Sequence, residues 1–203
     1  MRQIHQRTQD LLLKGNFIEL LAEISDKDVR VKKDSKVKYK ISWNKKLTKT
    51  IDSDITSYYR GAARAIIFNS KKEILLQHAT KYGYYKLPGG GIGKGEDTLD
   101  ALNREVKEEA GCKIEIIKPV GLIIEHRDRF KVTQISYCYL AKMKGKQGKN
   151  NLEEGEKQEG FEPEWWNIKK ALNLVKNGDG SLYQTKFIIK RDAIFIKRAI
   201  DLL

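Results

Sequence analysis

The sequence predicts an α+β chain, an α/β/α sandwich around a mixed sheet, with an N-terminal helix and β-hairpin placed before it. Three observations predict this. Strand-like segments at 65–68, 73–78, 113–117, 121–125 and 131–141 are interspersed with helical segments at 98–110, 167–176 and 185–203. The 203 residues are 40% hydrophobic, enough to bury a core. No apolar run approaches the roughly 18 residues of a membrane helix, so a helical span is excluded.

Each element has a local reason. Ile4, Leu11, Leu12, Phe17, Leu20, Leu21 and Ile24 approximate a helical stripe, predicting a helix over 3–25 with Gly15-Asn16 as a break. Val37, Tyr39, Ile41 and Trp43 alternate with Lys36, Lys38, Lys40 and Ser42, a half-buried strand that 47–51 could join as a hairpin. Residues 1–59 form this extension, a dimerisation arm or extra strands laid on the sheet, and 60–203 form the main domain. In the latter, Ala65-Ile66-Ile67-Phe68 and Glu73–His78 flank the turn Asn69-Ser70-Lys71-Lys72, and Tyr84–Pro88 leads into a glycine cluster. After the helix at 98–110 and three strands, the polar, Gly-rich stretch 143–160 reads as a loop and Phe161–Trp166 as a short extended segment.

Composition narrows the setting. Forty Lys and Arg against 27 Asp and Glu give a net charge of +13, mostly lysine spread along the chain, which reads as a solvated surface that attracts polyphosphates. The stretch 151–181 reverses this, with seven acidic and four basic residues. Cys112 and Cys138 make neither a disulfide framework nor a metal-ligand spacing, which points to a reducing, cytoplasmic setting.

The chemistry concentrates in Gly89-Gly90-Gly91-Ile92-Gly93-Lys94-Gly95-Glu96 and the helix after it, which ends Arg104-Glu105-Val106-Lys107-Glu108-Glu109-Ala110-Gly111. A Walker A loop would need Ser or Thr after Lys94, where Gly95 stands, and no register fits a dinucleotide fingerprint. At about 100° per residue Leu99, Leu102, Val106 and Ala110 form a stripe roughly 80° wide, while Glu105, Glu108 and Glu109 centre about 110° away. Such clustered carboxylates repel, so folding alone would not select them. Hard divalent cations do, because they take oxygen ligands.

Read from Gly90, the pattern is Gly, five residues, Glu96, seven residues, Arg104-Glu105, apolar Val106, Lys107, Glu108-Glu109, Ala110, Gly111 and Cys112. This resembles the 23-residue signature of the Nudix hydrolase family, including the MutT-type members. Eight of nine defined positions match, and Cys112 departs where an aliphatic residue is usual. Leu87-Pro88-Gly89-Gly90-Gly91 resembles the usual entry, and the likeness extends over about 60–170.

The resemblance implies cleavage of a nucleoside diphosphate linked to another moiety, with Mg²⁺ or Mn²⁺. It implies that Glu105 and Glu109 bind metal, that Glu108 ligates or positions, and that Gly90 or its neighbour Gly89 offers a carbonyl. Arg104 would orient the carboxylates, Glu96 would hold the loop–helix junction, and Gly111 is the glycine closing the box. Clustered carboxylates raise one another's pKa, making Glu105 the chosen base. A further glutamate from beyond the box is assigned to Glu159, with Glu156 as the alternative.

For the substrate, Arg127 and Arg129, which alternate on an expected strand near the site, are phosphate candidates. Tyr85 is a base-stacking candidate beside Tyr82, Tyr84, Trp165 and Trp166. Markers of ADP-ribose, dinucleoside-polyphosphate and coenzyme A types are absent, which favours a nucleoside triphosphate or modified nucleotide. The competing readings are a ligand sensor or nucleic-acid-binding regulator, suggested by the basic extension, and an enzyme acting on RNA 5′ ends.

Overall fold

Apolar residues on both sides of Tyr58–Phe68 (β2) set the centre of the sheet. The computed structural model describes residues 18–29 and 58–203. Ala63, Ala65 and Ile67 of β2 face one layer, and Ile66 faces the other together with Arg64, two residues back. Three further strands extend the sheet to one side: β6 (Val132–Lys144) runs parallel to β2, β5 (Lys113–Arg127) antiparallel to β6, and β1 (Leu20–Ser25) parallel to β5. On the other side β3 (Glu73–Ala79) follows a turn in which the Asn69 Oδ1 accepts from the Lys71 and Glu73 N–H groups. It is flanked by β4 (Tyr84–Lys86) and β7 (Phe161–Asn167), completing a seven-stranded mixed sheet.

Helices cover both faces. Leu102, Val106 and Ala110 of α1 (Thr98–Ala110) pack with Ala63, Ala65, Ile67, Tyr137 and Tyr139 on one. The short α2 (Glu154–Glu159) precedes β7. Val175 of α3 (Ile168–Lys176) and Phe187, Phe195 and Ile196 of α4 (Tyr183–Asp201) pack with Ile66, Ile123, Cys138 and Leu140 on the other. Each such large side chain contributes about 1.5–3 kcal/mol by leaving water.

One irregularity makes room for chemistry. β2 and β3 register only at Phe68↔Ile74 before they diverge. The glycine loop lies along β2 instead: the Ala65 N–H donates to the Pro88 carbonyl (3.1 Å), Ala63 to Gly90 (3.0 Å) and Ile92 to Gly61 (3.0 Å).

The α+β sandwich around a mixed sheet stands as expected, but several elements differ. Leu20–Ser25 is a strand and not the end of a helix; Leu20, Ala22 and Ile24 share one parity, so their spacing suits either period, and the open edge of β5 decides. Residues 3–17 of that predicted helix and the predicted hairpin (37–51) lie outside the described residues. β2 begins at Tyr58, earlier than the apolar run at Ala65, because its small and polar half still pairs with β6. β5 is one strand where two were expected, its register shifting between Ile116 and Lys118 and between Pro119 and Gly121, where Pro119 needs no ladder donor. The stretch 143–160 is not loop throughout, because 154–159 form α2. Glu153 and Glu156 supply its capping box, with Glu where Ser or Thr is usual, and Gly160 caps it in the left-handed region (φ 68°).

Candidate active site

α1 aims the box carboxylates, and its two ends fix it. The Asp97 carboxylate accepts from the Leu99 N–H (2.8 Å) at the start. Gly111 ends the helix at φ 64°, and a Cβ there would strike the Gly148 backbone. The last carbonyls find donors from the following chain: the Gln147 amide to Ala110 (3.0 Å), the Gly148 N–H to Gly111 (2.9 Å) and the Asn151 N–H to Glu108 (2.7 Å). From β3, the Gln77 Nε2 donates to the Glu109 carbonyl (2.9 Å). The segment after β6 thus wraps the helix end and delivers α2 to the site.

There, carboxylate oxygens of Glu105, Glu109 and Glu156 lie within 4.8 Å of one another. Glu109 is 1% exposed; it accepts from Lys86 Nζ (2.7 Å) and from the Gly89 N–H (2.7 Å). Such pairing is obligatory, because an isolated buried carboxylate would not stay ionised. Glu105 packs against Gly90, where a Cβ would collide with its carboxylate. Burial, then the Glu109 charge, raises the Glu105 carboxyl above its ordinary range against the pull of Arg104. Burial and Glu109 likewise push Glu156 up to about 7, while Lys86 opposes them.

Arg104 is the organiser. Its Nε and Nη2 donate to the two Glu96 oxygens (2.8 and 3.0 Å), Nη1 to Glu105 (2.8 Å) and Glu108 (3.2 Å), and Nη2 also to the Gly91 carbonyl (3.2 Å). Glu96 in turn accepts from the Gly93 N–H (2.7 Å), which ties the loop to the helix. The Arg104 guanidinium holds Glu96 below the usual carboxylate range.

The donor set fits a hard divalent cation. Burial and the mutual repulsion of three convergent carboxylates push Glu105 and Glu156 toward protonation, and nearby Lys86 donates to Glu109. Glu105, Glu109 and Glu156 are the groups that would hold Mg²⁺ or Mn²⁺. Glu108 faces Arg104 and is the more exposed. The Gly90 carbonyl accepts from Ala63 and retains a second lone pair.

The remaining predicted residues divide. Glu159, the first choice for the extra glutamate, lies outside the carboxylate group; its Oε2 accepts from the Tyr84 hydroxyl (3.0 Å), and Glu156, the alternative, is the one that joins Glu105 and Glu109. Arg127 and Arg129 do not share a strand face. Arg127 ends β5, buried, and donates to Glu125 (2.7 Å), whereas Arg129 lies in a 3₁₀ turn with its guanidinium over Tyr183. Tyr85 stacks on His78 (4.2 Å between centroids) and bonds Glu164, on the side of β4 opposite Lys86. Cys112 fills its aliphatic slot as a buried core residue. Lys86 and Gln77 escaped the sequence reading, since alternation along β3 and β4 does not say which face meets α1.

Comparisons with known proteins agree on the family and the fold. A family model described as the NUDIX domain matches residues 58–185. The 8-oxo-dGDP phosphatase NUDT18 of Danio rerio is 35% identical over 136 residues, 64% of this chain and 39% of that protein. An RNA pyrophosphohydrolase of Ruthia magnifica subsp. Calyptogena magnifica is 44% identical over 59 residues, 29% of this chain and 33% of that protein. The chain therefore spans between a third and two fifths of the length of these relatives. Among solved structures, a NUDIX hydrolase from Nitrosomonas europaea shares the fold with a TM-score of 0.50 and 17% identity, covering 66% of this chain and 89% of that one. With well over half of its residues matched by the family model, the chain belongs to the Nudix family.

Proposed function

We propose that the chain is a divalent-metal-dependent pyrophosphohydrolase. Its substrate would be a nucleoside diphosphate linked to another moiety, in first place a nucleoside triphosphate or modified nucleotide, cleaved to nucleoside monophosphate and phosphate-X. The convergence of Glu105, Glu109 and Glu156 under the clamp of Arg104 carries the proposal. A bound Mg²⁺ would supply charge neutralisation on the phosphate oxygens and lower the pKa of water. The chain's own residues do the rest. Arg104 and Glu96 fix the carboxylate rotamers, Gly90 leaves room for Glu105, and Glu105 takes the proton of the attacking water as the bridging P–O bond breaks.

A second reading, hydrolysis at the triphosphorylated 5′ end of RNA, is supported by the relatives named RNA pyrophosphohydrolase and by the +13 charge. The test is a panel with Mg²⁺: nucleoside triphosphates including oxidised forms, ADP-ribose, NADH, dinucleoside polyphosphates and a triphosphorylated oligonucleotide. We expect nucleoside triphosphate or oligonucleotide to be cleaved and Glu109→Gln to lose the activity. No cleavage anywhere, or full activity in Glu109→Gln, would overturn the proposal.

A further inference from the structure

Behind the glycine loop, on the sheet face covered by α4, four arginines gather: Arg60 and Arg64 of β2, Arg127 of β5 and Arg191 of α4. Arg64, Arg127 and Arg191 are 7%, 5% and 1% exposed, and Arg60 is the partly exposed member. Two buried carboxylates share this layer, Glu125 and Asp192. Glu125 already accepts from Arg127 (2.7 Å), Gln134 (2.7 Å) and Ser136 (3.0 Å), with Arg191 at 3.5 Å. Asp192 accepts from Arg191 Nε (2.7 Å) and the Leu87 N–H (2.9 Å). The acids are thus engaged, yet among the described residues the Nε of Arg64 and of Arg127 and the Nη2 of Arg191 are buried without a hydrogen bond, and Arg191 Nη1 has only its ion pair with Glu125. A layer selected for folding alone would not bury more guanidinium donors than its acids can receive.

The layer begins where the metal-binding carboxylates end. The Arg60 guanidinium lies against Gly91, where a Cβ would meet Nη2 at 2.8 Å. Arg60 is an electrostatic neighbour of Glu105 and Arg127, and Arg64 of Glu109, Arg191 and Asp192. Once Glu105 and Glu109 are committed to a divalent cation they offset less of the positive charge of Arg60 and Arg64. A group with anionic oxygens on both sides answers both needs, and planar guanidinium forks suit phosphate oxygens.

We propose that Arg60, Arg64 and Arg191, backed by Arg127, receive the phosphate next to the metal-bound one, so that the chain selects substrates with a free terminal phosphate over diphosphates capped by a sugar or a second nucleoside. As a statement about substrate choice it rests on the hydrolase proposal; as a binding site it does not.

The test separates the two. In EDTA, tripolyphosphate is titrated by calorimetry into the full chain, Arg60→Gln, Arg64→Gln and Arg64→Lys, each checked for folding by circular dichroism. Wild type should bind, each Gln variant at least about tenfold more weakly, with partial recovery in Arg64→Lys. Should Arg64→Gln fail to fold, the partly exposed Arg60→Gln decides. With Mg²⁺, the kcat/KM ratio of nucleoside triphosphate to nucleoside diphosphate sugar should fall about tenfold in the same variants, and a triphosphorylated oligonucleotide distinguishes a free nucleotide from an RNA end. Arginine-dependent binding without any hydrolysis would remove the hydrolase proposal and keep the receptor. Equal tripolyphosphate affinity in wild type and Arg60→Gln, or an unchanged ratio, would overturn the receptor.

Discussion

Glu156 and Glu159 stand three residues apart and do different things. Glu156 joins Glu105 and Glu109, while Glu159 holds the Tyr84 hydroxyl. Glu156→Gln should weaken Mg²⁺ or Mn²⁺ binding about tenfold to a hundredfold by calorimetry, and Glu159→Gln should leave it near wild type. The titration of Glu156 gives an independent prediction. Burial and Glu109 raise its pKa from 4.5 to about 7. Its contribution to the stability of the metal-free protein is therefore complete below pH 4.5 and lost as pH rises through about 7. A pH series of thermal melts in EDTA should show that loss, and Glu156→Gln should flatten it. Metal binding at pH 6 should release nearly one proton from Glu156 and at pH 8 almost none. The box glutamates were legible because their spacing is local. Glu109 lies only about 20° from Leu102 on the helical wheel, which is why it is the buried one. Choosing between Glu156 and Glu159 was not possible from spacing, since both lie in one acidic stretch and the wrapping of residues 145–153 decides.

At the scale of the elements, α1 combines good local signals with borrowed ones. Asp97 and Gly111 mark its ends in the sequence, but the donors to its last carbonyls come from Gln147, Gly148 and Asn151. Gly111→Ala would put a Cβ on a left-handed backbone against Gly148, at a cost of about 1–2 kcal/mol. The thermal midpoint should drop by about 3–6 °C, and activity should fall too if the wrapping segment positions Glu156; an unchanged midpoint would show that the contact carries no weight. Elements that depend on an available edge were the least legible. Leu20–Ser25 becomes a strand because β5 offers a parallel partner, and no periodicity within six residues states that. α2 was hidden because its capping box uses Glu153 in place of a hydroxyl residue.

Across the whole molecule, the divergence of β2 from β3 organises function. The glycine loop occupies it, α1 lies on one side and the arginine layer on the other. The layer was invisible in the sequence, because Arg64, Glu125 and Arg191 come from distant segments that meet only after the sheet forms. Arg127 was singled out, though for a strand face it does not share with Arg129. The +13 charge is consistent with polyphosphate attraction, and the acid-rich stretch 151–181 contributes Glu156. The central claim is that Glu105, Glu109 and Glu156 make a metal-dependent catalytic centre. Its most direct test is the initial rate of nucleotide cleavage by EDTA-stripped protein as Mg²⁺ is restored, with wild type beside Glu105→Gln. Wild type should rise from no detectable rate to saturation, and the variant should remain at least about 100-fold slower. A full rate without metal, or equal rates in the two proteins, would contradict it.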